Sequence, residues 1–382
     1  MRWNELRHWR RGLPPGTMGW PVVGETIEFL RRGPDFMKKQ RARWILMNEG
    51  KGLVPGYPRA MAVILGEGNV SAVHGPVHRV VRGALMSVIG PAAVRDRLFP
   101  PQGGVLHAPS GDPLSPVNLP GTAYRRGLQA RKRITSLLRD LIEERRSPSA
   151  PKGGGDILSF LLREEERQEE QEVHRTRPKL TDDQTIDLLV TIMYTGFEAV
   201  SSTVTMVVKY LHDHPSALQE LRNEYSEIGR RKSSPDEALT WEDYTSMSFT
   251  RAVILETMRL ATIVNGVMRK TTKDIPINGF VIPKGWRILV YVRESNYDSL
   301  RYPMSLCFDP GDGRSLENHP YFMAFGCGGR LCLGKELAMV ETSLFLYYFL
   351  TRYRWEETGG DEIVLFPRVE APRGLHIRLW TN

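Results

Sequence analysis

From Asp182 to Tyr210 the chain runs for nearly thirty residues without a proline, and its middle is apolar almost all round. Thr181 and Gln184 stand at capping-box spacing at its start, where side chains serve backbone N–H groups that a helix leaves open. The next proline is Pro215. The pattern predicts one long helix through the centre of a large domain. The stretch Leu188–Val208 also has the length to cross a bilayer. Glu198 and the polar residues Ser201, Ser202, Thr203 and Thr205 interrupt it, so the expectation is a buried helix of a soluble domain.

The other elements follow from the same reading. His74-Gly75-Pro76 opens a basic helix through Val81 and Leu85, and residues 122–146 are again helical and basic. Helices are expected over Ser216–Ile228, over Met247–Thr262, and from near Gly334 to near Tyr353. Residues 266–292 alternate in short runs broken by Asn278-Gly279 and Pro283-Lys284-Gly285, the punctuation of β-hairpins. Lys152-Gly153-Gly154-Gly155 and the charge run Arg163–Glu172 are expected to be surface linkers. The fold class is therefore mainly α with small β-sheets, an α+β arrangement. With 382 residues, 41% of them hydrophobic, the chain can bury a sizeable core. Residues 1–43 form a basic, Pro-rich arm, and 44–382 form the main domain, with an irregular Pro/Gly-rich insert near 101–116.

The formal net charge is +8, and most of the excess lies in residues 1–43, which hold ten Lys/Arg against four Asp/Glu. Trp3, Trp9 and Trp20 are mixed there with Arg2, Arg7, Arg10 and Arg11. Tryptophan among arginines suits a membrane surface with anionic headgroups, and equally a solvated basic arm. There is no helix-turn-helix signature or aromatic–basic repeat, and nucleic acid is not an expected partner. No signal-like or anchor-like apolar segment is visible at the N-terminus.

The three cysteines are Cys307, Cys327 and Cys332, an odd and clustered count that argues for a reduced thiol with a task. Residues 325–334 read Phe-Gly-Cys-Gly-Gly-Arg-Leu-Cys-Leu-Gly, a glycine-rich loop that delivers Cys332 to the start of a helix. Loop N–H groups and the helix N-terminus both favour negative charge at that sulfur. Phe325 offers an apolar plate, and Arg330 a cation for an anionic cofactor group. A thiolate held this way is a good axial ligand for heme iron. A buried structural cysteine is the bland alternative. Zinc on Cys307, His319, Cys327 and Cys332 is another, although the spacing matches no usual finger or ribbon.

The loop resembles the heme-binding loop of the cytochrome P450 family at all five fixed positions: Phe325, Gly328, Arg330, Cys332 and Gly334. The resemblance implies the cytochrome P450 fold, here incomplete, with heme b as cofactor and Cys332 as the metal ligand. Glu256 and Arg259 match the family's Glu-x-x-Arg pair, which is structural and normally locks onto a later arginine. His78 and Arg82, four apart, resemble a propionate-binding pair, and Arg269 resembles a further propionate ligand. In Thr195-Gly196-Phe197-Glu198-Ala199, Gly196 matches the glycine that widens the helix groove, Glu198 the proton-feeding acid, and Ala199 the place of a relay threonine. Asp312 stands where the network arginine is usual, and Arg314 two residues later is a candidate replacement.

Further likeness runs through Ala261-Thr262-Ile263-Val264-Asn265-Gly266-Val267, Ile282–Arg287, Arg352–Glu357, Phe366–Val369 and Gly374–Ile377. These segments are similar to the brassinosteroid 6-oxidases of plants, and the likeness covers residues 2–43, 44–99 and 118–382. It implies steroid oxidation at C-6, of the 6-deoxocastasterone to castasterone type, with Gly196, Val264 and Asn265 touching the substrate. It also implies electrons from an NADPH-dependent cytochrome P450 reductase and a place on the cytosolic face of the endoplasmic reticulum membrane. A non-catalytic derivative, acting as a truncated heme protein or interaction protein, stays open beside the enzyme reading.

Overall fold

The computed structural model describes residues 46, 49–98, 120, 122–147, 157–170, 180–234, 237–277, 280–311, 314–319, 321–359, 362–365 and 369–382. The arm 1–43, the insert 101–116, the Asn278-Gly279 turn and Asp312 lie outside these residues. In chain order the main elements are β1 (Leu53–Pro55), α1 (Arg59–Leu65), α2 (Gly75–Ile89), α3 (Ala123–Arg146), α4 (Ile157–Glu170) and α5 (Asp182–Asp213). They continue with α6 (Pro215–Arg230), α7 (Trp241–Ser246), α8 (Ser248–Ala261), β2 (Gly266–Thr271), β3 (Ile275–Ile277), β4 (Phe280–Ile282) and β5 (Arg287–Tyr291). The last are α9 (Lys335–Arg352), β6 (Tyr353–Glu357) and β7 (Ile377–Thr381). Among the described residues the chain is thus mainly helical with three small sheets, as the hydrophobic patterns predict.

The chain divides into two compact units, one from the described parts of 1–54, 199–332 and 338–382, the other from 55–198 and 333–337. In the second unit, Pro76 sits in the first turn of α2, where its missing N–H costs nothing. The Thr122 hydroxyl caps α3 by accepting from Arg125 N at 3.3 Å. The expected capping box at α5 is formed. Thr181 N donates to Gln184 Oε1 at 2.9 Å, and Gln184 N to Thr181 Oγ1 at 3.2 Å. Val88, Ile89, Ile142, Leu158, Leu161, Leu162, Ile186 and Leu189 fill the space among α2, α3, α4 and α5. Asp187 is tied at both carboxylate oxygens, by Arg131 and by Gly68 N at 2.9 Å. Gly66 passes so close to this carboxylate, at φ 100°, that no side chain would fit.

Two expectations need correction here. The charge run from Arg163 is not a linker as far as Glu170; it belongs to α4. Its Arg, Glu and Gln residues are good helix formers, and they extend a helix whose first turns are anchored by Leu161 and Leu162. The long helix α5 is buried at its two ends, around Ile186–Thr191 and Met206–Val208, but not in its middle. It is long and apolar enough to cross a membrane by length and composition, and 28% of its most apolar window is buried.

In the first unit the core forms around α8, where residues Ala252–Arg259 are all buried. This helix has no side-chain cap of its own. Glu224 of α6 supplies one, accepting from Phe249 N at 2.7 Å and from Thr250 N at 3.0 Å. A carboxylate there satisfies open N–H groups and meets the positive helix end. Tyr225, fully buried beside it, meets Tyr347 of α9 edge-on at 5.2 Å. The three-stranded sheet has the order β1-β2-β5, with β2 and β5 antiparallel and Gly266 opposite Tyr291. The pairs β3–β4 and β6–β7 are two-stranded and antiparallel.

Candidate heme-thiolate site

The cysteine loop is a compact turn. Gly326 and Gly328 take positive φ angles of 73° and 66°, which a side chain would resist. Gly328–Arg330 form a single tight helical turn, closed by Leu331 N donating to Gly328 O at 3.1 Å. Cys332 N then donates to Phe325 O at 2.8 Å, so the two ends of the motif are pinned together. Cys332 lies outside any disulfide and is solvent-exposed, three residues before α9 begins at Lys335. A sulfur presented from this loop, ahead of a helix N-terminus, has the donor chemistry of an anionic axial ligand.

Arg330 and Arg269 come together in the same unit. Arg269 lies on β2 and Arg330 on the cysteine loop, and Glu49 reaches both. Its Oε1 accepts from Arg330 Nε, and its Oε2 lies 3.4 Å from an Arg269 terminal nitrogen. Side-chain exposure is 5% at Arg269, 11% at Arg330 and 14% at Glu49. Arg269 Nε is buried with no hydrogen-bond acceptor among the described residues. Sequence reasoning found both arginines and missed Glu49. The available signal was the Glu49-Gly50-Lys51-Gly52 turn immediately before β1.

Glu256 and Arg259 form a bidentate pair, 2.7 Å at each bond, with both side chains 3% exposed. The same guanidinium donates to the carbonyls of Asn296 (2.8 Å), Ser305 (2.6 Å) and Cys307 (3.1 Å). Asp309 N donates to Glu256 Oε1 at 3.1 Å. Burial works to lower the Arg259 pKa, and the Glu256 carboxylate more than offsets it, so the group stays charged. The Tyr302 ring lies 5.2 Å from the guanidinium carbon. Among the described residues it is backbone carbonyls, and not another arginine, that complete this network. Arg314 begins a one-turn helix, Arg314–Glu317, and its side chain lies outside the description.

The predicted substrate residues Val264 and Asn265 follow the end of α8. Thr262 ends that helix in the left-handed region, at φ 50° and ψ 60°. Asn296 Nδ2 ties the corner to Arg259 O at 3.0 Å and to Thr262 Oγ1 at 3.3 Å. Asn265 is buried and gives its amide to Leu365 O at 3.0 Å. Val264 is 46% exposed, while Thr262, Ile263 and Asn265 are all buried. Beside it Met258, Thr262, Ile263, Val292, Asn296 and Ala324 line a crevice too narrow to hold a water molecule.

His78 and Arg82 belong to the second unit, half-buried one turn apart on α2. Gly196 and Glu198 lie at the end of that unit's share of α5, and Gly334 in its short segment 333–337. A Cβ on Gly196 would meet nothing within 4 Å, so close packing among the described residues does not explain this glycine. Ala199 begins the first unit's share of the helix. The nearby Thr203 is buried, and its hydroxyl donates to Ala199 O at 2.7 Å. The proton of that hydroxyl is therefore given to the backbone.

The comparisons with known proteins agree with this geometry. The family Cytochrome P450 matches residues 105–370. Cytochrome P450 85A1 of Solanum lycopersicum is 47% identical over 452 aligned positions, covering 99% of this chain and 95% of that protein. Cytochrome P450 85A2 of Arabidopsis thaliana is 45% identical over 452 positions, with the same shares covered. Alignments of 452 positions for a chain of 382 residues mean that these relatives carry segments this chain lacks. Among solved structures, the retinoic acid bound cyanobacterial CYP120A1 shares the fold, with a TM-score of 0.81 and 22% identity, over 97% of this chain and 100% of that one. The chain belongs to the cytochrome P450 family. It is an oxidoreductase of the monooxygenase class, its cofactor is heme b, and it draws electrons from a redox partner.

The residues present fit that cofactor. An exposed cysteine sulfur ahead of a helix would hold the iron. The buried Arg269, with its orphaned Nε, and the half-buried Arg330 would hold a propionate. His78 and Arg82 are the second unit's candidates for the same task. When bound, the heme supplies the activation of dioxygen that puts an oxygen atom into a C–H bond. The Cys332 N–Phe325 O bond fixes the loop that carries the sulfur, the Glu256–Arg259 network holds the backbone at Ser305 and Cys307, and Val264 is an exposed apolar side chain.

Proposed function

We propose that the chain oxidises a plant brassinosteroid at C-6, converting a 6-deoxocastasterone-type substrate through an alcohol to a castasterone-type ketone. The observation that carries this reading is the loop Thr262–Asn265. Its other residues are buried and tied down by Asn296 and Leu365, and Val264 alone stands out, suited to the flat face of a fused-ring steroid. The same loop carries the sequence likeness to the brassinosteroid 6-oxidases. Each oxidation consumes one dioxygen and two electrons, and an NADPH-dependent cytochrome P450 reductase supplies the electrons. The basic, Trp-containing arm 1–43 supports a location at the cytosolic face of the endoplasmic reticulum membrane, since tryptophan among arginines suits a surface of anionic headgroups.

The test has two stages. Reduced protein expressed with ample heme is exposed to carbon monoxide, and the red-shifted Soret band of a thiolate-ligated heme is expected. Reconstitution with reductase, NADPH and the 6-deoxo steroid should then give the 6-hydroxy and 6-keto products. A thiolate-type band with no steroid product at any enzyme level would sink the substrate assignment. Sedimentation with microsomal membranes, lost when residues 1–43 are removed, tests the location.

A second reading has one observation in its favour, the absence of a relay hydroxyl at Ala199 with Thr203 turned to the backbone. In that reading the protein holds heme but passes electrons to dioxygen without product. Reductant consumption matched by hydrogen peroxide, with no steroid oxidised, would establish it.

A further inference from the structure

Three segments far apart in the chain meet at Glu49. The turn before β1 supplies the glutamate, β2 supplies Arg269, and the cysteine loop supplies Arg330, 281 residues away from Glu49. The backbone explains how the glutamate arrives there. Gly50 N closes the turn onto Leu53 O at 2.9 Å. Gly52 follows at φ 110°, with side-chain atoms of Lys273 and Ile275 within 3 Å of where its Cβ would lie. Thr272 N donates to Gly52 O at 2.9 Å, fastening the turn to the end of β2. Glu49 is thus carried against the strand that presents Arg269.

The charge count sets what this triad can do. Two guanidinium groups and one carboxylate leave one net positive charge in a largely buried place. Buried charge of one sign is costly unless paired. One N–H of the triad, Arg269 Nε, is also buried without an acceptor. An unfilled donor within a triad that holds two guanidiniums and one carboxylate suits one further acceptor, a carboxylate. Without Glu49 the two guanidiniums would repel across the same gap and lose the fixed spacing that a planar anion needs.

We propose that Glu49 is a positioning residue of the heme site: its carboxylate clamps Arg269 and Arg330 side by side and leaves the pair one net positive charge for a single propionate. The proposal rests on the assignment of heme to this chain. It does not depend on which substrate is oxidised. Glu49 touches neither iron nor substrate; it acts through the two arginines.

The experiment titrates heme-free full-length protein with two porphyrins, heme b and its dimethyl ester, and follows the Soret band. Esterification caps both propionates and leaves the iron and ring unchanged. The parent protein should bind heme b more tightly than the ester. In Glu49→Ala the heme b affinity should fall by about tenfold or more, in the range usual for partners that orient a cofactor's ligands, with the ester affinity unchanged. Glu49→Asp keeps the charge but is one methylene too short to span both arginines, and it should lose the preference as well. Circular dichroism and thermal melting of the heme-free variants establish that each is folded.

A folded variant that keeps the parent's preference for heme b over the ester overturns the proposal. So does an equal loss for both porphyrins, which would mark a general structural role. A gain in heme b affinity also overturns it, since Glu49 would then compete with the propionate. If the parent binds neither porphyrin, the heme assignment itself fails, and the proposal goes with it.

Discussion

The Thr203 hydroxyl donates to the Ala199 carbonyl at 2.7 Å, one helical turn back, on the helix that also carries Gly196 and Glu198. A threonine bonded back to the i−4 carbonyl has given its one proton to the backbone, while its oxygen can still accept. Thr195 does the same toward Thr191 O at 2.7 Å, so the threonines four residues before and after Ala199 both donate to the backbone.

Ala199→Thr should therefore supply a hydroxyl at the position that resembles the family's relay threonine. Product formed per NADPH should rise on the order of tenfold, less than the roughly 100-fold or more that a fully positioned proton donor contributes. Helix propensity opposes the change by less than about 1 kcal/mol, so folding should be unaffected. The measurement compares NADPH consumption, peroxide release and steroid product in the two proteins. Unchanged partition among the three would refute the assignment of this position.

Removing the charge at Glu256 should be far more damaging. The Glu256→Gln substitution leaves the Arg259 guanidinium buried without its counter-ion, a loss of about 3–5 kcal/mol by analogy with other broken buried pairs. Urea denaturation of the heme-free protein should show the lower midpoint directly. By contrast, Asp312→Arg should change stability by less than about 1 kcal/mol, the scale of an added surface ion pair. The reason is saturation. The acceptor that an arginine would need is the Glu256 carboxylate, whose Oε1 already accepts from Arg259 and from Asp309 N and whose Oε2 accepts from Arg259. A stabilisation of several kcal/mol by arginine at 312 would show that this network is incomplete.

The contrast between those two sites marks what the sequence makes legible. Spacing alone carries the helices, because apolar periodicity and caps such as Thr181/Gln184 act within a few residues. The motif at Phe325–Gly334 is equally local, and its turn closes as expected with Cys332 N on Phe325 O. What stays hidden depends on partners distant in the chain. Glu224 capping α8 and Glu49 joining Arg269 to Arg330 leave no periodic trace, since each is one carboxylate whose role depends on the fold that surrounds it. The carbonyl ligands of Arg259 are hidden for a second reason, because every residue has a carbonyl and side-chain identity says nothing about which one is turned inward. The charge-rich part of α4 misleads for the opposite reason, since its composition signals solvent exposure and not backbone conformation.

The cap of α7 predicts a specific acid sensitivity. Thr240 and Asp243 form a reciprocal box, with Asp243 N on Thr240 Oγ1 at 3.1 Å and Thr240 N on Asp243 Oδ2 at 2.9 Å. Lys232 Nζ adds a 2.9 Å contact to the same carboxylate. Burial pushes the Asp243 carboxyl up, but the Thr240 hydrogen bonds and Lys232 outweigh it and hold the group below its ordinary value. A carboxyl depressed in the folded state stabilises fully above its unfolded pKa, near 3.8, and the contribution is lost as pH falls through the folded pKa. Thr240→Ala should cost about 1 kcal/mol at neutral pH and flatten the acid limb of the stability curve below about pH 4. Melting temperatures from roughly pH 2 to roughly pH 7 would check both parts, and a parallel downward shift at every pH would disprove the linkage.

The corner at Thr262 sets the last prediction, because it couples backbone strain to the substrate loop. A non-glycine residue in the left-handed region costs about 1–2 kcal/mol. Thr262 is held there by its hydroxyl donating to Arg259 O at 3.0 Å and accepting from Asn296 Nδ2 at 3.3 Å. Thr262→Gly relieves the strain and removes both bonds, each worth about 1 kcal/mol, so stability should move by less than about 1 kcal/mol in either direction. Thr262→Ala removes the same bonds and keeps the strain, so it should lose about 1–2 kcal/mol. Both variants free Val264 from its fixed place on the loop. Steroid affinity, read from the spin-state shift of the Soret band, should weaken in both by up to about tenfold, since small misplacements of a positioning surface are costly. If Thr262→Gly binds steroid as the parent does, the strained corner serves folding alone, and the loop Thr262–Asn265 does not owe its place to it.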